Sequence, residues 1–209
     1  DLFLSSAGRF NDEQVELFDG VLERLVRTIE LRSIADVSAR MALAEMSAQL
    51  APVAQAPATV IRQLAHNDEI SIAAPVLQES ARLGDEDLVE LAKTKGEQHL
   101  LAISGRKALD SVVTDVLVRR GDLQVHRKLA ASADARFSDE AMSLLVEHAE
   151  ADDTLSERLG LRLDMPLHLL RRLLEKASEI VRAKLVQIAP AAHRDEIQQI
   201  LTGIGNDVV

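Results

Sequence analysis

The segment GEQHLLAISGRKALDSVVTDVLVRRGD, Gly96 to Asp122, holds one complete copy of the pattern that decides the fold. It opens on a polar pair, Gly96-Glu97, and runs into the apolar residues Leu100, Leu101 and Ile103. Gly105 interrupts that stretch, as glycine does at a helix end. Leu109 and Asp110 follow, and then Val112, Val113, Val116 and Leu117 recur at the spacing of a helix face, before Gly121-Asp122 opens the pattern again. The reading is two short helices per unit, A and B. Asp110 is a good N-cap for B, since its carboxylate can accept from the free N–H groups of the first turn. Leu109 ahead of it is the apolar residue of a hydrophobic staple.

Outward in both directions the pattern recurs. The polar pair returns as Asp68-Glu69, Asp152-Asp153 and Ser178-Glu179, at intervals between 25 and 31 residues. An apolar A stretch follows each pair: Ile70, Ile72, Ala73 and Val76; Leu123, Val125 and Leu129; Leu155 and Leu159; Ile180, Val181 and Leu185. The staple returns as Leu83, Phe137 and Met165, with Asp85 and Ser138 as caps and Pro166 suited to a first turn. The B stretches carry Leu88, Val89 and Leu91; Met142, Leu144 and Leu145; and Leu169, Leu170, Leu173 and Leu174, and Asp195 to Ile204 reads as a last one. Pro75 falls inside the first A helix and should kink it. Helices this short are marginal alone in water, and one hairpin cannot bury both its faces. Stacked hairpins give each other that cover. The expected fold is all-α: an α-solenoid of about five short helical hairpins over residues 57–209.

Ahead of the repeats, residues 1–56 read as an N-terminal helical extension. Asn11 caps a helix whose first turn holds Asp12 and Glu13 and whose stripe is Val15, Phe18, Leu22, Leu25 and Ile29. A second helix carries Ile34, Val37, Met41, Leu43, Met46 and Leu50. The stretch from Ala51 to Thr59, with Pro52 and Pro57, reads as a linker, and Pro57 suits the first turn of the helix after it. The two N-terminal helices can close one end of the stack or pair between subunits, so monomer and homodimer are both open.

Composition narrows the function classes. Hydrophobic residues make up 47% and charged residues 28%, the balance of a globular chain, while aromatics are 2%. The absence of Cys excludes disulfides, thiolate nucleophiles and Cys-ligated metals. The net charge is −10, no segment is basic, and aromatics for base stacking are scarce, so nucleic-acid binding is not expected. No apolar run approaches the roughly 20 residues that span a bilayer, so no membrane insertion is expected and a cytoplasmic setting is the simplest reading. The chain begins at Asp1 and not at Met, so it reads as a fragment.

Runs that include Leu64-Ala65-His66-Asn67-Asp68, Pro75-Val76-Leu77, Asp87 to Ala92, His99 to Arg106, Val113 to Leu117, Arg120-Gly121-Asp122 and Ala135-Arg136-Phe137-Ser138 resemble the bacterial domain-of-unknown-function family 2336. Gln14 to Asp19 looks like that family's lead-in. The resemblance covers most of the chain and implies no established activity. The repeats are also similar to HEAT-like and leucine-rich-variant repeats, which mostly act as binding scaffolds, an implication by fold analogy alone.

Candidates for chemistry have plainer accounts. His66-Asn67-Asp68-Glu69 could ligate a metal, but an inter-helix turn with Asn67 or Asp68 capping helix A explains every residue there. His99, His126, His148 and His168 stand at different offsets from the polar pairs and should not line up. Ser104 to Lys107 has S-x-x-K spacing, yet Gly105 makes the two side chains diverge. Glu147, Glu150, Asp152 and Asp153 suit a helix end and the start of the next. Gly203 and Gly205 follow no strand, so they form no phosphate loop. No catalytic, cofactor-binding or metal-binding residue is assigned.

Basic residues recur at Arg106, Lys107, Arg119, Arg120, Arg127, Lys128, Arg158, Arg162, Arg171 and Arg172. If stacking aligned them, they would form a cationic ribbon for an acidic partner, and Arg106, Arg119, Arg120, Arg127, Arg171 and Arg172 are the partner-binding candidates. Solvated helix faces and helix-dipole partners are the plainer account. The functional expectation is a non-enzymatic scaffold that binds another protein through exposed B-helix residues. The alternative is an enzyme or small-ligand binder using the concave groove of the stack.

Overall fold

The computed structural model of the chain describes residues 37–206 together with Gly20, Val21 and Arg24. The expected first helix, with Asn11, Val15, Phe18, Leu22, Leu25 and Ile29, lies outside the described residues, as does Ile34. The described chain is all-α. Its helices are α1 (Val37–Leu50), α2 (Ala58–Ala65), α3 (Ile70–Glu79), α4 (Asp85–Thr94), α5 (Glu97–Ile103), α6 (Ser111–Arg120), α7 (Leu123–Ala131), α8 (Asp139–Ala149), α9 (Asp153–Gly160), α10 (Leu167–Lys176), α11 (Glu179–Ile188) and α12 (Ala191–Asn206). Among the described residues the β pairing is an isolated parallel bridge between Leu109 and Ala135.

The repeat is sharpest when counted from the helix starts. The A helices α3, α5, α7, α9 and α11 have Glu69, Gly96, Asp122, Asp152 and Ser178 at their N-caps. The third and seventh residues after each cap are buried: Ile72 and Val76, His99 and Ile103, Val125 and Leu129, Leu155 and Leu159, Val181 and Leu185. The B helices follow Gly84, Asp110, Ser138, Pro166 and Pro190, and the seventh residue after each is buried as Leu91, Leu117, Leu145, Leu173 and Ile197. A helix that sets a side chain on the same face every third or fourth residue makes these positions its inner stripe. Removing one such Leu from water is worth about 2 kcal/mol, which is what holds helices of two to three turns together.

Capping is largely as the residue types predict. Asp110 accepts from Val112 N, Asp122 from Gln124 N and Val125 N, Ser138 from Ala141 N, Asp152 from Leu155 N and Ser178 from Val181 N. Four expectations need correction. Neither Asn67 nor Asp68 is the cap of α3: Glu69 occupies that position, and Asn67 Oδ1 accepts from Glu69 N at 2.9 Å. Asp85 lies in the first turn of α4, where Asp87 Oδ2 reaches back to Gly84 N at 3.2 Å. Pro57 and Pro166 stand at the N-cap and not in the first turn, with extended ψ of 125° and 137°. Met41, expected on an apolar stripe, is exposed; the inner face of α1 uses Leu43 and Ser47. Ser47 is small enough for close approach to α3, and its hydroxyl donates to Ile72 O at 2.6 Å.

The chain divides into two compact units within α4, between Leu91 and Ala92. In the first unit α1 packs on α2 and α3, and α2 on α3. The Ala/Pro stretch is a turn inside this unit, with Ala51 and Ala56 buried. In the second unit the A helices pack in succession, α5 on α7, α7 on α9 and α9 on α11. The B helices do the same, α6 on α8, α8 on α10 and α10 on α12. Neighbour-to-neighbour packing of this kind is how repeat hairpins supply each other's cover.

Candidate functional site

The surface of the second unit is laced by polar links between successive repeats. The sixth residue after an A-helix cap reaches the fifth residue of the preceding A helix: Lys128 Nζ donates to Leu101 O, Arg158 to Arg127 O and Lys184 to the Glu157 carboxylate. Cations placed on the last carbonyls of a helix satisfy orphan acceptors and complement the dipole there.

Of the predicted ribbon arginines, Arg119, Arg120, Arg127 and Arg172 take part in this lacing, while Arg171 pairs within its own helix. Arg119 pairs with Glu140 at 2.9 Å, Arg172 with Glu147 at 3.1 Å and Arg171 with Glu175 at 2.9 Å. Arg120 donates to Ala92 O and, at 3.4 Å, to Lys95 O. Arg106 is half-buried. Arg127 makes a two-pronged contact with Asp152, Nε to Oδ1 at 3.1 Å and Nη2 to Oδ2. Asp152 is 8% exposed. The Arg127 guanidinium holds its carboxyl below the usual carboxylate range; burial opposes this, and the Leu155 N–H adds to it. The Asp152 carboxylate in turn raises the Arg127 guanidinium further above its ordinary value. Arg119, Arg120, Arg127, Arg171 and Arg172 thus each have an intramolecular partner.

Arg162 is the most deeply placed of these cations, at 7% exposure. It donates to both carboxylate oxygens of Asp164 at 2.8 and 2.7 Å, to Ser132 O at 2.5 Å and to Ala135 O at 2.8 Å. Its guanidinium also lies over the Phe137 ring, 4.8 Å from the centroid, a cation–π contact. Arg162 thus fastens the α9 end to the α7–α8 connection one repeat earlier.

Beside it opens a groove of about 540 Å³. Ala130, Ala131 and Ala133 at the end of α7 form one part of its lining, and Leu161, Leu163, Asp164, Arg158 and Arg162 at the end of α9 another, with Pro190 between α11 and α12 completing it. Leu163 is 69% exposed although it faces this apolar surface. Sequence reasoning missed the groove because it is assembled from three connections about one repeat apart.

The histidines also depart from expectation. His126 and His148, predicted not to line up, stack with ring centroids 4.6 Å apart and planes at 23°. Their caps lie on different helices of one hairpin, so offsets from the polar pairs could not reveal the meeting. His126 is buried, and its Nε2–H donates to Val118 O at 2.9 Å, since a carbonyl can only accept. Burial pushes its pKa down, the Val118 carbonyl opposes that, and His148 adds to the lowering. His99 is buried, while His66, His148 and His168 are exposed. Ser104 donates its hydroxyl to Leu101 O at 2.8 Å, and Lys107 is exposed. Among the described residues no group of three or more His, Asp or Glu is placed to hold a metal ion.

The matched family model, described as an uncharacterised protein conserved in bacteria (DUF2336), covers residues 72–207. The chain belongs to this family. The DUF2336 span takes in α4 to α12 and nearly all of α3, and with them the polar links, the groove and the histidine stack. No curated protein and no solved structure matches the chain. Among the described residues no helix is long and apolar enough to cross a membrane.

Proposed function

We propose that the second unit is a non-enzymatic protein-binding module whose working surface is the groove at the ends of α7 and α9. The observation that carries this reading is Leu163, a large apolar side chain left in water on the wall of an apolar groove. Exposed apolar surface next to polar residues is the usual mark of an interaction site. The exposed arginines can take part in binding by exchanging an internal carboxylate for one from the partner, at a cost of about 1 kcal/mol or less per surface pair. The proposal includes a cytoplasmic setting.

The test is capture from an extract of the bacterium that makes the protein, with the chain and its Leu163→Asp variant immobilised side by side. The expected result is a protein retained by the chain and lost by the variant. Identical retention on both, or on neither, removes the groove as the working surface.

A second reading is favoured by the groove's volume, which falls in the range of small-ligand pockets. The titratable groups of its lining are Arg158, Arg162 and Asp164, and the last two are paired with each other. A small molecule found by native mass spectrometry on the chain, and absent from Leu163→Asp, would support that reading.

A further inference from the structure

We infer that the groove takes an acidic peptide segment of the partner, seating a large apolar side chain against Leu161, Leu163 and Pro190 while a carboxylate meets the Arg158 guanidinium. This rests on the reading of the groove as a protein-binding surface and adds the chemistry of what binds.

The repeat itself shows which features the fold does not require. Leu163 is the eleventh residue after its A-helix cap, and the same place holds Ser80, Lys107, Ala133 and Ala189 in the other repeats. None is a large apolar residue, so the hairpin connection closes without one. The place of Arg162, the tenth residue, is taken in the following repeat by Ile188, which is 46% exposed. The guanidinium that links to the α7–α8 connection therefore has no counterpart at the equivalent place over the α9–α10 connection.

Arg158 supplies the charge. Its Nη1 donates to Arg127 O, and its guanidinium also lies near enough to Asp152 to bear on that carboxylate, which Arg127 already binds in two-pronged fashion. The remaining Arg158 N–H groups have no hydrogen-bond acceptor among the described residues. Within the lining, Arg162 and Asp164 neutralise one another, which leaves Arg158 as the net charge of the groove. A guanidinium with N–H groups to give is a natural seat for a carboxylate. The groove runs across three connections and opens to solvent, a shape suited to an extended segment.

The chain as a whole carries −10, so its general field favours basic peptides over acidic ones. A preference for acid at this groove can only be local, which makes it diagnostic. The probes are fluorescein-labelled Gly-Glu-Leu-Leu-Glu-Gly, a counterpart with Lys in place of Glu, and one with Ser in place of Leu, read by anisotropy on the full chain. The Glu–Leu peptide should bind at least about tenfold tighter than either counterpart, a difference of about 1.4 kcal/mol. Leu163→Asp and Arg158→Gln should each weaken it at least about fivefold, and Arg158→Lys by less, since the charge stays. Leu163 is already in water, so its variant should keep the parent's unfolding midpoint and carries the test alone if Arg158→Gln folds poorly.

Equal or tighter binding of the Lys peptide, still sensitive to Leu163→Asp, overturns the acidic occupant and leaves the groove a protein-binding surface. Peptide binding indifferent to Leu163→Asp removes both readings. Decanoate binding in place of any peptide turns the site into one for small carboxylates. Self-association in sedimentation that Leu163→Asp abolishes makes a second copy of the chain the occupant. Each of these outcomes overturns the proposal.

Discussion

The α7–α8 and α9–α10 connections occupy equivalent places in adjacent repeats and line one groove, yet only the first is tied down by an arginine of the next repeat at the place of Arg162. Over the first, Arg162 from the next repeat satisfies Ser132 O and Ala135 O and lies on the Phe137 ring. Over the second, the equivalent residue is Ile188, which has nothing to donate, and Leu163 stays exposed. The A helices still pack in sequence, because the buried positions Leu129, Leu159 and Leu185 persist through both repeats. The contrast separates two jobs that share one surface. Apolar stripes hold the repeats together, and the polar links tie down particular connections.

The tied connection should be the more costly to disturb. Arg162→Ala removes a guanidinium that meets two backbone carbonyls and a carboxylate, and leaves acceptors without donors in a place where the side chain was 7% exposed. We expect a loss of about 3 kcal/mol, read as a lower urea midpoint at unchanged slope. A variant as stable as the parent would mean that water replaces the guanidinium and that the link is ornamental to folding. Gly160→Val should rank next. A Cβ at Gly160 would lie 2.6 Å from Leu185 Cδ1, and Leu185 is itself fully buried, so its side chain would have to shift within the packed contact of α9 and α11. The expected cost is about 2 kcal/mol from overpacking, relieved in part by Leu185→Ala in the same chain. Without that relief the strain lies elsewhere.

The sequence was informative wherever the pattern is carried by residues close together in the chain. Asp110, Ser138 and Ser178 were legible as caps or cap-bearing pairs because the donor they serve lies two or three residues on. The alternation of A and B helices was legible because buried residues recur every three or four positions. Asn67 was misplaced by two residues because a polar turn offers several side chains able to accept, and spacing alone cannot say which does. The arginine row was legible as a recurrence but not as a role. Arg127 finds Asp152, and Arg172 finds Glu147, one repeat away in each case, and a list of cations does not contain its partners. The groove was invisible for the same reason. It is lined by three connections about one repeat apart, and their meeting shows only once the repeats are set in register.

Proton-linked behaviour tests the contacts at the other end of these hairpins, where Asp152 caps α9 and His126 meets Val118 O. Asp152 has its carboxyl held down mainly by Arg127, so its contribution is complete above the ordinary carboxylate range and is lost as the pH falls from there through the depressed value. Asp152→Asn keeps a side chain able to cap α9 but drops the charge, and we expect about 1 kcal/mol lost at neutral pH and a flatter acid limb of the stability curve. An acid limb unchanged by the substitution would place the acid sensitivity on other carboxylates. His126 is lowered chiefly by burial, so its neutral form is the one that folding favours. Its contribution is complete above the free imidazole's value of 6.5 and shrinks as the pH drops from there towards the folded value. Urea midpoints at about pH 8 and about pH 5 should differ less in His126→Leu than in the parent. Equal differences would show that the burial of His126 has no bearing on acid stability.

The smallest effect on stability is expected at the untied connection. Ile188→Arg restores there the residue type that Arg162 supplies one repeat earlier, on a site that is 46% exposed. Substitutions at such positions rarely move stability by more than about 0.5 kcal/mol, so the unfolding midpoint should barely change. What should change is the surface. A guanidinium reaching over the α9–α10 connection would occupy the groove beside Leu163 and Pro190, and binding of the acidic peptide should fall although Leu163 and Arg158 are untouched. If binding survives while stability holds, the groove's openness does not depend on the missing link, and the contrast between the two connections has no bearing on what the protein binds.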